Sequence, residues 1–222
     1  MALSHSPKIV TDGLVLCLDA GDGKSYGGSG TTWTDRSGNG YNGTLTNGPT
    51  FDSSNGGNIV FAGDDYVDCG LSSFQPTEMT LSVWVKKTTS NTSGVIVKGN
   101  VNESTEWGIS FGYSNPHYVV GRGTTAINQL RHEWSGSLLS GFHHISYSMI
   151  NNTSASLYVD GVLVDSTNTI GSIGLNTKNV LIGKWNNYAP LNGSIAKVSI
   201  YDKALTSDEI LQNYNAQKGR FS

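Results

Sequence analysis

The stretch from His143 to Val164 limits the fold more than any other part of the chain. His143, Ile145, Tyr147 and Met149 fall on one side of an alternation whose other side holds His144, Ser146 and Ser148. A period of two sends successive side chains to opposite faces of a strand. The polar turn Asn151-Asn152-Thr153-Ser154 follows, and then Leu157 and Val159 alternate with Tyr158 and Asp160. Asp160-Gly161 is a two-residue hairpin signal, because a type I′ turn needs positive φ at both positions. Val162-Leu163-Val164 returns from it. Strands joined in series by such turns form an antiparallel meander.

The rest of the chain reads the same way. Leu14 to Asp19, Asn58 to Phe61, Tyr66 to Asp68, Met79 to Lys86, Asn179 to Lys184 and Ser194 to Tyr201 are further strand segments. Leu81, Val83 and Val85 face one way and Ser82 and Trp84 the other, which predicts a sheet with one buried and one half-exposed face. The chain has 28 glycines, which suit many tight turns. Only one helix is predicted, over about 207–217. Thr206-Ser207-Asp208-Glu209 is a capping box, and Ile210, Leu211 and Tyr214 recur at helical spacing. These features predict an all-β, two-sheet antiparallel sandwich with a short C-terminal helix. They make one domain over 11–222, preceded by an N-terminal arm over 1–10.

Charge and composition narrow the function. A net charge of −3 gives no reason to expect nucleic acid or an anionic membrane as partner. No apolar run is long enough to span a bilayer. Met1 to Lys8 lacks the apolar stretch of a secretory signal peptide, so a protein made and kept soluble in the cytosol is expected. Cys17 and Cys69 are too few for a disulfide framework and are expected as buried thiols.

Several segments carry a resemblance. Gly141-Phe142-His143-His144-Ile145 followed by Ala155-Ser156-Leu157-Tyr158-Val159-Asp160-Gly161 is similar to the core of laminin-G-like, concanavalin-A-like domains. Asp35-Arg36-Ser37-Gly38-Asn39-Gly40, Val60 to Asp68, Thr80 to Val85, and Asn192 to Ile195 through Tyr201 to Leu205 fit the same pattern in the same order. The resemblance implies a jelly roll of two antiparallel sheets, with a site at loop tips or on the concave sheet for glycans, proteins or calcium. The segment 211–221 resembles the tails of such domains in virion proteins of tailed phages. It implies a non-catalytic virion structural protein, a capsid decoration or a tail or neck appendage, assembled in the host cytoplasm. Its expected partners are other virion proteins, further copies of itself and a host-surface polysaccharide. A lectin-like module outside any virion and a glycoside hydrolase are the alternatives.

Four groups of residues are candidates for chemistry. Calcium takes hard oxygen ligands on irregular loops. Asp19 and Asp22, Asp35 and Asn39, and Asp64 and Asp65 lie on three such turns, and Asp35 with Asn39 is the expected metal site. The same residues also form turns by bonding their own backbone. In the family an acidic residue on the last long strand often completes this ion site. Here that strand reads Ser194-Ile195-Ala196-Lys197-Val198, where many relatives carry an Asp-Glu pair. Glycoside hydrolysis needs two carboxylates flanking the bond. Related glucanases carry them on one strand as Glu-x-Asp-x-x-Glu, which is absent here, and Glu103 and Glu106 read as loop carboxylates. His143 and His144 alternate, so their rings point to opposite faces and cannot share an ion. Sugar binding calls for aromatic platforms beside amides. Trp185-Asn186-Asn187-Tyr188, with Trp107 and Trp134, supplies that chemistry, and Tyr113, His117 and Tyr118 add to it. The same aromatics also suit a core or a protein interface.

Overall fold

A computed structural model describes residues 8–99, 107–112, 117–122, 129–134, 141–171, 176–185 and 189–221. In chain order the first strands are β1 (Leu14–Asp19), β2 (Thr32–Trp33), β3 (Gly43–Thr46), β4 (Thr50–Asp52), β5 (Asn58–Phe61) and β6 (Tyr66–Asp68). The middle of the chain holds β7 (Glu78–Lys87), β8 (Ser93–Lys98), β9 (Trp107–Gly112), β10 (His117–Arg122) and β11 (Gln129–Trp134). Then come β12 (His143–Ile150), β13 (Ser154–Val159), β14 (Val162–Thr167), β15 (Val180–Ile182), β16 (Gly193–Tyr201) and the helix α1 (Ser207–Asn215).

The strands form two antiparallel sheets. One is ordered β14-β13-β12-β7-β16-β5-β4, and the other β11-β10-β9-β8-β15-β6-β3-β2. The expected meander is β12-β13-β14, with Asp160 and Gly161 both at positive φ (50° and 79°) in its turn. β16 shares one edge between two partners. Its Gly193–Ile195 end pairs with β5, and Lys197 to Tyr201 pairs with β1. Ala196 marks the handover: its carbonyl accepts from the Ala20 amide at 2.9 Å, and the register against β7 shifts between Ile195 and Lys197.

The core lies between the sheets. Leu16, Leu18, Leu81, Val83, Ile145, Tyr147, Val198 and Ile200 meet Trp33, Val67, Ile96, Trp107, Ile109 and Ile182 across it. Each such large side chain contributes about 1.5–3 kcal/mol by leaving water. The jelly-roll sandwich with one short helix is therefore the observed fold.

Three details depart from expectation. The outer face of β7 is buried as well as the inner one, because Trp84 lies under α1 and the tail that follows it, Thr80 is hydrogen-bonded to Lys203 and Leu205, and Ser82 is hydrogen-bonded to His144. Phe221 stacks on Trp84 at 4.1 Å between centroids, and Tyr214 does so at 5.7 Å. The packed chain also takes in 8–10, assigned from sequence to the arm. Val10 is buried with Tyr158, Tyr201, Leu205 and Ile210, and its amide donates to Asn213 Oδ1 at 2.8 Å. Residues 1–7 lie outside the described residues. Finally, Lys98 faces the interior, where its ammonium donates to the carbonyls of Leu71 (2.7 Å), Ser72 (2.8 Å) and Phe74 (3.0 Å). Cys17 and Cys69 are buried and unbridged, and burial pushes the Cys69 thiol up.

Candidate functional site

β1 is bonded to β16 on one side only, so its other edge needs partners. The loop 35–42 supplies them. The Arg36 amide donates to Cys17 O (2.8 Å), the Ser37 hydroxyl to Val15 O (2.8 Å), and Asn39 Nδ2 to Leu14 O and Val15 O (both 3.1 Å). Asp35 is the hub. Its Oδ1 accepts from the amides of Cys17 (2.9 Å) and Ser37 (2.8 Å). Its Oδ2 accepts from the Ser37 hydroxyl (2.6 Å) and the amides of Gly40 (3.0 Å) and Tyr41 (3.2 Å). Positive φ at Gly38 (98°) and Gly40 (79°) lets the loop fold back over its own carboxylate.

These contacts test the expected metal site. A calcium ion needs oxygen lone pairs turned toward it. The Asp35 oxygens instead face five N–H and O–H donors, and the Asn39 amide nitrogen is turned to the edge of β1. This donor set does not suit a cation. The other turn carboxylates are occupied in the same manner: Asp22 pairs with Arg36 at 3.0 Å, Asp64 accepts from Asn47 at 2.7 Å, and Asp65 from the Ala62 amide at 3.0 Å. No three His, Cys, Asp or Glu side chains gather among the described residues.

By fixing the loop, Asp35 and Asn39 also place Tyr41. Tyr41 is 38 % exposed, at the lip of a groove of about 370 Å³ lined by Thr11, Gly13, Asn39, Phe74 and Asp202. Phe74 ties the groove to the core through an edge-on contact with Trp107, 6.0 Å between centroids. The Asp202 amide is fixed by Gly13 O at 2.9 Å, while its carboxylate makes no hydrogen bond or ion pair among the described residues. An aromatic face, a free acceptor and a hydroxyl thus border one shallow opening.

A second, larger cleft of about 940 Å³ lies between residues 8–11, the Asp19 and Lys197 ends of β1 and β16, and residues 215–220. Asp19 sits in it between Arg220 (2.6 Å) and Lys197 (3.3 Å). Burial pushes its carboxyl up, but the two cations outweigh burial and hold it below the usual carboxylate range.

The histidines behave as alternation predicts. His143 Nδ1 lies 2.8 Å from Asp160 Oδ2, and His144 points to the other face, where Nε2 lies 2.8 Å from the Ser82 hydroxyl. Burial pushes the His144 imidazole down to about 4, partly offset by Asp160. The Ser82–His144 pair is sealed under Trp84 and Tyr214, out of a substrate's reach.

Of the aromatic platforms expected from sequence, the two whose side chains are described, Trp107 and Trp185, are buried. Trp107 is 1 % exposed and lies in the core, because alternation along β9 turns it inward with Ile109 and Phe111. Trp185 is 2 % exposed and packs with Val97 and Ala189. Neither ring is available to stack on a sugar. Asn186, Asn187, Tyr188, Tyr113, Glu103 and Glu106, and the side chains of Trp134, His117 and Tyr118, lie outside the described residues. Tyr41 was missed because its position, next to the glycines of a loop read as metal-binding, hid its exposure.

Comparison with known proteins agrees with this architecture. The family model described as the concanavalin A-like lectin/glucanases superfamily matches residues 61–211. No curated protein sequence matches the chain significantly. Among solved structures, domain 4 of AbnA, a GH43 extracellular arabinanase from Geobacillus stearothermophilus in complex with arabinotriose, is similar with a TM-score of 0.69 and 17 % identity. That match covers 90 % of this chain and 98 % of that one. The binding domain of Paraclostridial Mosquitocidal Protein 1 follows with a TM-score of 0.67 and 16 % identity, covering 93 % of this chain and 52 % of that one. A Trypanosoma rangeli sialidase mutant displaying trans-sialidase activity gives a TM-score of 0.68 and 18 % identity, covering 96 % of this chain and 34 % of that one.

Proposed function

The chain belongs to the concanavalin A-like lectin/glucanase superfamily, and from that premise we propose that it is a non-catalytic carbohydrate-binding module. The observation that carries this reading is the exposed Tyr41 ring beside the uncommitted Asp202 carboxylate. A tyrosine face takes the apolar face of a sugar ring, and a carboxylate accepts from its hydroxyls. The groove's volume suits one or two sugar residues. Asp202 is the single carboxylate among its lining residues, whereas glycoside hydrolysis needs two. The arabinotriose held by the similar arabinanase domain supports a glycan as ligand.

The test is a glycan array followed by titration of the best hit. Tyr41→Ala is expected to weaken binding about tenfold or more, as loss of an aromatic anchor does. Asp202→Asn weakens it less, since one acceptor oxygen remains. An array without hits overturns the reading.

The finer reading places this module on the virion of a tailed phage, docked on other virion proteins and on further copies of itself. The resemblance of 211–221 supports it. Mass spectrometry of gradient-purified particles checks it: a protein found only free of particles removes the virion and leaves glycan binding standing.

A further inference from the structure

The larger cleft carries a charge opposite to that of the chain. Lys8, Lys197, Lys218 and Arg220 line it against one carboxylate, Asp19, while the whole protein has a net charge of −3. The chain has only 14 cationic Lys and Arg side chains, so four in one cleft is a concentration of positive charge. Asp19 does not cancel it. Its oxygens are taken by Arg220 and Lys197, and Arg220 is spent further on the carbonyls of Asn55 (2.8 Å) and Gly57 (2.5 Å). Arg220 therefore anchors the tail. The Lys197 ammonium has three donors and, among the described residues, one ion-pair partner, and Lys8 and Lys218 stand at the rim.

The cleft also offers neutral polar groups. Among the described residues Gln217 Oε1 is buried without a hydrogen-bond partner, and Asn215 and Thr11 line the same space. Thr11 lines the Tyr41 groove too, so the two openings lie on either side of one residue. We propose that the cleft is a subsite for a negatively charged sugar residue, carboxylated or sulfated, of a glycan whose neighbouring residue lies on Tyr41. The proposal rests on the glycan-binding reading. A volume of about 940 Å³ suits an oligosaccharide segment. Lysines serve here as point charges with rotatable donors, which tolerate either kind of anion.

Titration calorimetry with matched pairs tests it: oligogalacturonate against its methyl ester, and a sulfated galacto-oligosaccharide against its desulfated form. The charged member of at least one pair is expected to bind more tightly, with an advantage that shrinks as salt rises. Which pair shows the advantage identifies the anion. Replacing Lys8→Ala and Lys218→Ala together is expected to remove it, at about fivefold per lysine. Neither change touches the Tyr41 groove, and the Lys8 carbonyl that accepts from Gln212 at 2.7 Å is retained. Tyr41→Ala weakens both members alike. Equal binding of charged and neutral members in both pairs overturns the subsite and leaves the module a glycan binder. No binding of any oligosaccharide, here or on the array, overturns both.

Discussion

Removing the Asp35 side chain strands four backbone amides at once, those of Ser37, Gly40, Tyr41 and, on the edge of β1, Cys17, while the Ser37 hydroxyl keeps Val15 O. A buried donor left without a partner costs about 1–3 kcal/mol. Asp35→Ala is therefore expected to lower stability by about 3 kcal/mol in urea unfolding, and Asp35→Asn to recover only part, since one oxygen becomes a donor. Because the carboxylate is filled by these donors, millimolar calcium is expected to leave the melting temperature of the native protein unchanged; a rise would show an ion bound elsewhere or with rearrangement. His144 sets a second expectation. Its imidazole sits near 4 when folded and near the usual 6.5 when unfolded, with Asp160 and Lys197 as the charges that also act on it. The unfolded chain thus takes up a proton that the folded one refuses. Stability is full above about pH 6.5 and falls as pH drops toward 4, by up to about 3 kcal/mol. Urea unfolding across that window checks it, and His144→Gln is expected to flatten the slope.

The helix α1 is short and depends on its cap. Thr206 Oγ1 accepts from the Glu209 amide at 3.3 Å, and Glu209 Oε2 accepts from the Thr206 amide at 2.9 Å. Thr206→Ala is expected to cost about 1 kcal/mol and to speed amide exchange over Ser207–Asn215. This box was legible in the sequence, as were the meander and its hairpin turn, because each rests on contacts between near neighbours. Strand β8 was not recognised. Val95, Ile96 and Val97 are all buried, and a bulge between Gly94 and Ile96 breaks the period that alternation relies on. The site was the least legible part. Asp35 and Asn39 were singled out as a metal site on their loop, but their partners on β1 lie about 20 residues back, where no local pattern points. Trp107 and Tyr41 illustrate the same limit: one aromatic is core and the other surface, and only the packing of the sheets decides which.

At the scale of the whole molecule, both sheets share one core, and β1 closes it by pairing Leu14 with Tyr201 near the far end of the chain. Neither sheet can keep its inner face dry alone. Unfolding is accordingly expected in one cooperative step, with far-ultraviolet circular dichroism and tryptophan fluorescence giving coincident urea transitions. Separate transitions would show that one sheet survives the other.

The clasp between the two ends has a mechanical meaning. Asn213 and Gln212 hold the backbone at Val10 and Lys8, and Arg220 ties the tail to Asp19, Asn55 and Gly57. Tension applied through Lys8 and Phe221 falls on these few side-chain bonds before it reaches any strand. The clasp would slip first and lengthen the tether while the sandwich, with the Tyr41 groove at the edge of β1, kept its shape under load.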